Sequence, residues 1–432
     1  MADQAAPQTA LLAGVPGRSR AWMIWLAATA ALALVAPHLL ASGFGISLLN
    51  RMAIAIVFAL SFNMLLGQGG MLDFGHAVFF GLGGFATMHL LKLADAGIFL
   101  PVPLLPLAGA LGGLVSAVPA GWVATRREGT SFAMVTLGIA ELAVAFVVML
   151  PQWFGGEEGV SGDRSAEPAL FGFDFGAALQ IYYVIAAWAL LAAVLMWAIT
   201  RTPLGRLTNA VRDNPLRVDF LGYDPARIRF LCFALAGLFA GVAGGMQALN
   251  DEIVTVSNIG SAASGAVLLM TYIGGVGTFW GPVLGAIVVT LLQMALGTLT
   301  DAWQLYSGLL FVFMVLWAPG GLSGIILSHA PLLRAGLGHR LLARYLAVVP
   351  AALLTLAGLI GLAEMAYRLQ AVRSGGAPGR LFGFAVMPTD PVAWVAPTLL
   401  LLGGLLALRS LAPRARAAWQ EAHTLLARGT PR

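Results

Sequence analysis

The stretch SFNMLLGQGGMLDFGHA sets Asn63, Gln68, Asp73 and His76 between long apolar runs. Two amides, a carboxylate and an imidazole can bind the polar part of a substrate or hold a proton. Ionisable groups inside membrane segments are costly and therefore count as functional candidates. Plainer uses stay open: at a helix end Asp73 can sit in water, and His76 can be a hydrogen-bonded packing residue. Glu141, in TLGIAEL, is a further isolated acid with either a structural or a transport use.

Covalent chemistry has little to work with. A hydroxyl nucleophile needs a base within reach. Ser261 and Ser264, in GSAASGA, are followed only by His329, His339 and His423, all in predicted loops or tail, so His76 alone could approach through the fold. Cys232 is the single cysteine, lies inside a predicted span and cannot form an intramolecular disulfide. No Cys/His cluster suggests a metal. A phosphate-binding loop needs a lysine before Ser or Thr after a glycine-rich turn. The only lysine is Lys92, in HLLKLAD, so this chain carries no such nucleotide site. No catalytic residue is assigned.

The elements that must position these groups are membrane helices. Of 432 residues, 59% are hydrophobic and 10% charged, with a mean hydropathy of +0.87; soluble domains carry roughly 25% charge. A bilayer span needs about 20 apolar residues. Candidates run over 21–42, 47–66, 74–92, 103–124, 131–150, 179–200 and 228–249, then as a broken pair across 264–297, then over 303–318, 345–367 and 392–410. The expected fold is all-α, a polytopic transmembrane bundle of about ten core helices plus about two C-terminal ones. The first span is expected to be an uncleaved helix, although LLASG resembles a cleavage site. Many of the 53 glycines suit close helix packing.

Two glycine-rich interruptions stand out, one in each half, GQGGMLDFGH at 67–76 and GGVGTFWGP at 274–282. Interrupted helices expose backbone polar groups where transporters bind substrate. The candidate translocation path is therefore Asn63, Gln68, Asp73, His76, Glu141, Gly274 and Gly275, with tight packing as the alternative use of the glycines.

Charge gives the orientation, because short cytoplasmic loops are rich in Arg and Lys. Arg18, Arg20, Arg126 and Arg127 fall on one side, together with six arginines in RTPLGRLTNAVRDNPLRVDFLGYDPARIR at 201–229. Residues 151–177 carry Glu157, Glu158, Asp163, Glu167 and Asp174 against Arg164 alone, and are read as external. Within 201–229, Thr202 before Pro203 and Asn214 before Pro215 predict two capped helices, with Gly222 as a stop. Leu216 and Phe220 share a face. The loop either docks a cytoplasmic protein or merely sets topology.

Four ordered blocks carry a family resemblance. TPLGRLTNAVRDNPLRVDFLGYDPARIRFLCFALAGLFAGVAGGMQA, LSFNMLLGQGGMLDFGHAVFFGLGGFAT, SFAMVTLGIAEL and LLMTYIGGVGTFWGPVLGAIVV, the last followed by PGGLSGI, resemble permease subunits of branched-chain amino-acid ABC importers of the LivM type. The resemblance covers roughly residues 47–326. Asp73 departs from it, standing where the family more often has a small hydroxyl residue. Phe154 and Val160 depart where threonine and leucine are more usual.

The resemblance implies a permease subunit in the bacterial inner membrane that moves branched-chain or related hydrophobic amino acids. It implies a second permease of the LivH type, cytoplasmic ATP-binding subunits that use ATP while this chain binds no cofactor, and a periplasmic substrate-binding protein. Besides these and the lipid bilayer, no nucleic acid is expected. It places coupling to the ATPase on Arg206, Arg212, Asp213, Asn214, Arg217, Gly222 and Tyr223. Permeation of urea, short amides or other amino acids is the alternative, and a secondary transporter or channel a more distant one. The expected organisation is a tail and first helix over 1–46, a permease core over 47–326 with its coupling loop at 201–229, and a C-terminal extension over 327–432.

Overall fold

The computed structural model describes residues 18–40, 42–95, 101–166, 175–297, 300, 303–336, 338–374, 380–381, 384–385 and 387–427. Glu167, Asp174, Arg428 and Arg432 lie outside them. The chain forms two compact units, one of Met1–Met294 with Phe311–Gly321 and the other of Ala295–Leu310 with Leu322–Arg432.

The elements of the first unit are α1 (Arg18–Leu39), α2 (Gly43–Asn63), a π-helical turn (Met64–Gln68), α3 (Ala77–Asp95), α4 (Pro106–Ala124), α5 (Gly129–Met149), the short α6 (Pro151–Phe154), β1 (Val160–Ser161), α7 (Ala178–Arg201), α8 (Pro203–Asp213), α9 (Pro215–Phe220), α10 (Pro225–Asp251), β2 (Ile253–Val254) and α11 (Ser261–Gly274), followed by most of α12 (Gly281–Gly297). Among the described residues eight helices are long and apolar enough to cross a membrane, nine if α13 (Trp303–Trp317) and α14 (Gly321–Arg334) make one broken span. Three shorter apolar helices, Ala27–Leu39, Ala77–Leu93 and Gly281–Gly297, fall where hydropathy placed the remaining spans.

The core gathers around α10, the most enclosed of the candidate spans. Gly237, Gly241 and Gly245 of α10 face Gly109 and Gly113 of α4 at backbone distance; a Cβ on Gly241 would collide with the Gly109 carbonyl and the Gly113 backbone. This close approach replaces the hydrophobic drive that lipid does not supply. Phe79 of α3 and Phe132 of α5 meet Phe233 of α10 edge to face and fill the space beside that seam.

On the acidic side, β1 pairs antiparallel with β2, Val160 opposite Val254. Arg164 donates to the carbonyls of Leu249, Asn250 and Phe175, taking carbonyls at the end of α10, and lies 3.4 Å from Glu252. Ser165 donates its hydroxyl and amide to Asp163, which holds that carboxyl below the usual carboxylate range.

The second unit contains α15 (Gly338–Arg373), a two-residue β3 (Arg380–Leu381) paired with β4 (Phe384–Ala385), and α16 (Val395–Ala427). Buried Leu332, Leu341 and Ala422 join its helices at one end, with Tyr345 and Trp419 packed against them.

Candidate functional site

The first interruption begins inside α2. After Asn63 the helix widens into the π turn, and the chain then runs without regular structure until α3 starts at Ala77. The last carbonyls of a helix lack intrahelical partners, and here most are taken by the turn itself. Gly69 N–H donates to Met64, Met71 N–H to Leu65 and Gly70 N–H to Leu66, over 2.9–3.2 Å. The thiol of Cys232 adds a second donor to Met64 O. The carbonyl of Gly67 is taken from elsewhere, by the Arg212 guanidinium of α8.

Asp73 and His76 are wholly enclosed. The expectation that Asp73 could sit in water is therefore corrected: the turn folds it inward, where Oδ1 accepts from Gly75 N–H at 2.8 Å. Its Oδ2 lies 3.4 Å from His76 Nδ1 without forming a hydrogen bond to it. His76 Nε2 is 2.9 Å from Ser61 Oγ of α2, and Phe58, Phe62 and Phe79 surround the ring. Phe74 N–H donates to Thr136 of α5 and Ala77 N–H to Ser264 of α11. The turn is thus tied to three helices. A Ser–His–Asp order is present, yet Ser61 is fully buried and its hydroxyl sits 2.7 Å from Phe58 O, in position to donate to it. Ser264, whose hydroxyl could be suspected as a nucleophile, serves the Ala77 amide. Among the described residues no group of three His, Cys, Asp or Glu side chains forms a metal site.

The second interruption is the turn between α11 and α12. Gly274 ends α11 and Gly275 adopts φ 111°, where a side chain would be strained. The two interruptions meet. Buried Asn63 donates to Thr278 O at 3.4 Å, and a Cβ on Gly67 would strike the Val276 carbonyl. Gln68 lies half-buried beside them. Glu141 stands apart from this group, exposed on α5 with no hydrogen-bond or ion-pair partner among the described residues, on a row with Met134, Gly138 and Ala145.

The arginine-rich loop folds as its caps predict. Thr202 accepts from Gly205 N–H, Asn214 from Arg217 N–H at 3.0 Å, and Asp224 begins α10 the same way. Gly222, at φ 86°, ends α9 with Gly222 N–H on Asp219 O and Tyr223 N–H on Val218 O. Val211, Val218 and Ile228 form a small core under the pair.

Arg206 and Arg217 are exposed, as an outer charged edge requires. Arg212 is exposed as well but differs in direction. It turns toward the bundle, paired with Asp213 at 2.9 Å. Facing outward instead is an apolar cap of Leu216, Phe220, Leu221 and Tyr223, with Phe220 90% exposed.

A cavity of about 160 Å³ lies beside Arg212, lined by Gly69, Gly70, Arg127, Glu128 and Arg229 among others. Arg229, nearly buried, pairs with Glu128 at 2.7 Å.

These positions, a capped helix pair on one face and two joined helix breaks inside, coincide with a known family. The family described as branched-chain amino acid transport system, permease component, matches residues 44–318. The chain belongs to that family. Two LivM permeases of high-affinity branched-chain amino acid transport systems, from Salmonella typhimurium and Escherichia coli, are each 25% identical over 335 residues, 72% of this chain and 77% of theirs. A fructose import permease of Rhizobium meliloti is 28% identical over 221 residues, 48% of this chain and 59% of its own. No solved structure matches. As a family member the chain is a multi-pass membrane permease component, and both helix breaks and the capped pair lie within the matched residues.

What the sequence left unseen was mostly directional. Ser61, Thr136 and Ser264 are ordinary small polar residues in apolar helices, and nothing in their spacing marks them as anchors of one turn. The inward course of Arg212 leaves no mark on its own helix; its counterpart is the distant Gly70, at φ 65°, where a Cβ would strike the Arg212 stem.

Proposed function

We propose that this chain is the membrane-spanning permease subunit of an ATP-driven importer, moving branched-chain or related hydrophobic amino acids across the bacterial inner membrane. In this reading it works beside a second permease of the LivH type, a periplasmic binding protein delivers substrate to its acidic face, and separate cytoplasmic subunits hydrolyse ATP.

The observation that carries this reading is the apolar cap on α9 and the turn that follows it. Leu216, Phe220, Leu221 and Tyr223 are exposed beside Arg206 and Arg217, on a helix pair stiffened by caps at Thr202 and Asn214 and seated on its own small core. A basic loop that only sets topology has no need of a large aromatic residue held in the open. A partner protein would cover it, and the charges at its rim would fix register. Glu141 supports the companion surface. An unpaired acid midway along an apolar helix is expensive facing lipid, and a second permease or a shared aqueous path would relieve that cost. We place Asn63, Gln68, Gly274 and Gly275 at the joined breaks beside the path. Enclosed Asp73 and His76 then support its wall.

The test is copurification and uptake. With the chain expressed alongside its ATPase subunits, Phe220→Asp is expected to lose the ATPase from the purified complex and to abolish leucine uptake in membrane vesicles, while the permease still inserts. Wild-type ATPase recovery and uptake in that variant would return the loop to a topological role. Competition of labelled leucine by unlabelled leucine, urea or fructose addresses the substrate, and a fructose-only competitor would displace the amino-acid assignment.

A further inference from the structure

We propose that Arg212 is a positioning residue for transport: it caps the broken end of α2 from the docking helix and so ties α8 to the place where the two helix interruptions meet. The inference rests on the importer reading above.

Three links make the tie, each from a different element. The Arg212 guanidinium, fixed on α8, donates to Gly67 O, the carbonyl that the π turn leaves to an outside donor. Gly67 in turn lies against the Val276 carbonyl of the second turn, too close to admit a side chain. Asn63, one turn before Gly67, donates to Thr278 O of the same turn. A displacement of α8 that withdraws Arg212 therefore uncaps the end of α2 at the point where the second interruption rests.

The guanidinium suits the task. A cation at a helix C-terminus is favoured by the helix dipole, and the planar fork can hold Asp213 and the carbonyl at once. Gly70 has no side chain to obstruct the stem, and the neighbouring cavity leaves it room to move.

The experiment uses the complete transporter in proteoliposomes, comparing wild type, Arg212→Gln, Arg212→Lys, Asn63→Ala and the Arg212→Gln/Asn63→Ala double variant. ATP hydrolysis, leucine uptake and ATPase recovery are measured together. Arg212→Gln is expected to retain the ATPase and its hydrolysis but to lower uptake per ATP by about tenfold, within the range of single-residue couplings. Arg212→Lys, which keeps a charged donor, is expected to recover part of that loss. The double variant should fall little below Arg212→Gln, since both act on one junction.

Hydrogen–deuterium exchange gives a readout free of activity: amides of Gly69, Gly70 and Met71 should exchange faster in Arg212→Gln. Unchanged exchange there would overturn the proposal, as would additive losses in the double variant. A parallel loss of ATPase binding and uptake would also overturn it, making Arg212 a docking residue only. Failure of the importer reading is recognised separately, by wild-type complex that does not take up leucine.

Discussion

Ser61 Oγ lies 2.9 Å from His76 Nε2, and it reaches there from α2 across the very turn that interrupts that helix. The hydroxyl also lies 2.7 Å from Phe58 O. If its single proton goes to that carbonyl, Nε2 must donate to Oγ, which leaves Nδ1 facing Asp73. The imidazole is thus a brace between α2 and the turn.

Removing either end of the brace has a graded cost. Ser61→Ala strands a buried ring nitrogen and is expected to cost about 1–3 kcal/mol. His76→Phe keeps the aromatic packing but leaves both Ser61 Oγ and Asp73 Oδ2 without the imidazole, and is expected to cost more than Ser61→Ala. Adding Asp73→Asn to His76→Phe should regain part of that loss. Apparent melting temperatures of the purified chain in detergent check this order; two single variants that melt like wild type would refute the brace.

How far the site could be read from the chain follows from this cluster. Asp73 and His76 announce themselves as polar residues in an apolar sequence, and the glycines around them mark the interruption. Whether such residues face a passage or the interior depends on which neighbouring helix covers the turn. Thr136 and Ser264 do so from 60 residues or more away in sequence. Local pattern carries no record of that distance. The caps at Thr202, Asn214 and Gly222 were legible because a capping bond spans only two or three residues, within the reach of sequence spacing. Arg212 shows the boundary between the two cases: its helix could be read, its direction could not.

Glycine substitutions should separate packing from mere composition. Gly241→Ala would press a methyl against the Gly109 carbonyl and the Gly113 backbone, atoms that cannot rotate away, and is expected to cost about 1–3 kcal/mol or to block folding. Gly138, on the exposed row of α5, has nothing within 4 Å of its would-be Cβ. There Ala should be neutral or gain up to about 1 kcal/mol in helix propensity. Monodisperse yield and apparent melting temperature are the measurements, and equal behaviour of the two variants would show that the α4–α10 seam is looser than its geometry.

The C-terminal extension, expected from sequence to begin near residue 327, shares a compact unit with Ala295–Leu310. Within that unit Tyr306 donates its hydroxyl to Glu364 Oε1 at 2.9 Å, and Arg368 approaches Oε2 at 3.3 Å. Glu364 is buried, so its two oxygens hold both partners in a low-dielectric setting. Glu364→Gln keeps an acceptor for Tyr306 and should cost little. Glu364→Leu strands the hydroxyl and leaves Arg368 without its counter-charge, and is expected to cost about 1–3 kcal/mol. Tyr306→Phe in the Glu364→Leu background should recover part of it, because the stranded donor is then gone. The same bond bears on truncation. A chain ending at residue 326 keeps Tyr306 but loses its acceptor, so it is expected to melt below the full chain and to take up less leucine. Tyr306→Phe should narrow the gap in melting temperature. A truncated chain with full stability and full uptake would show that 327–432 is dispensable and that the Tyr306–Glu364 bond carries no structural weight.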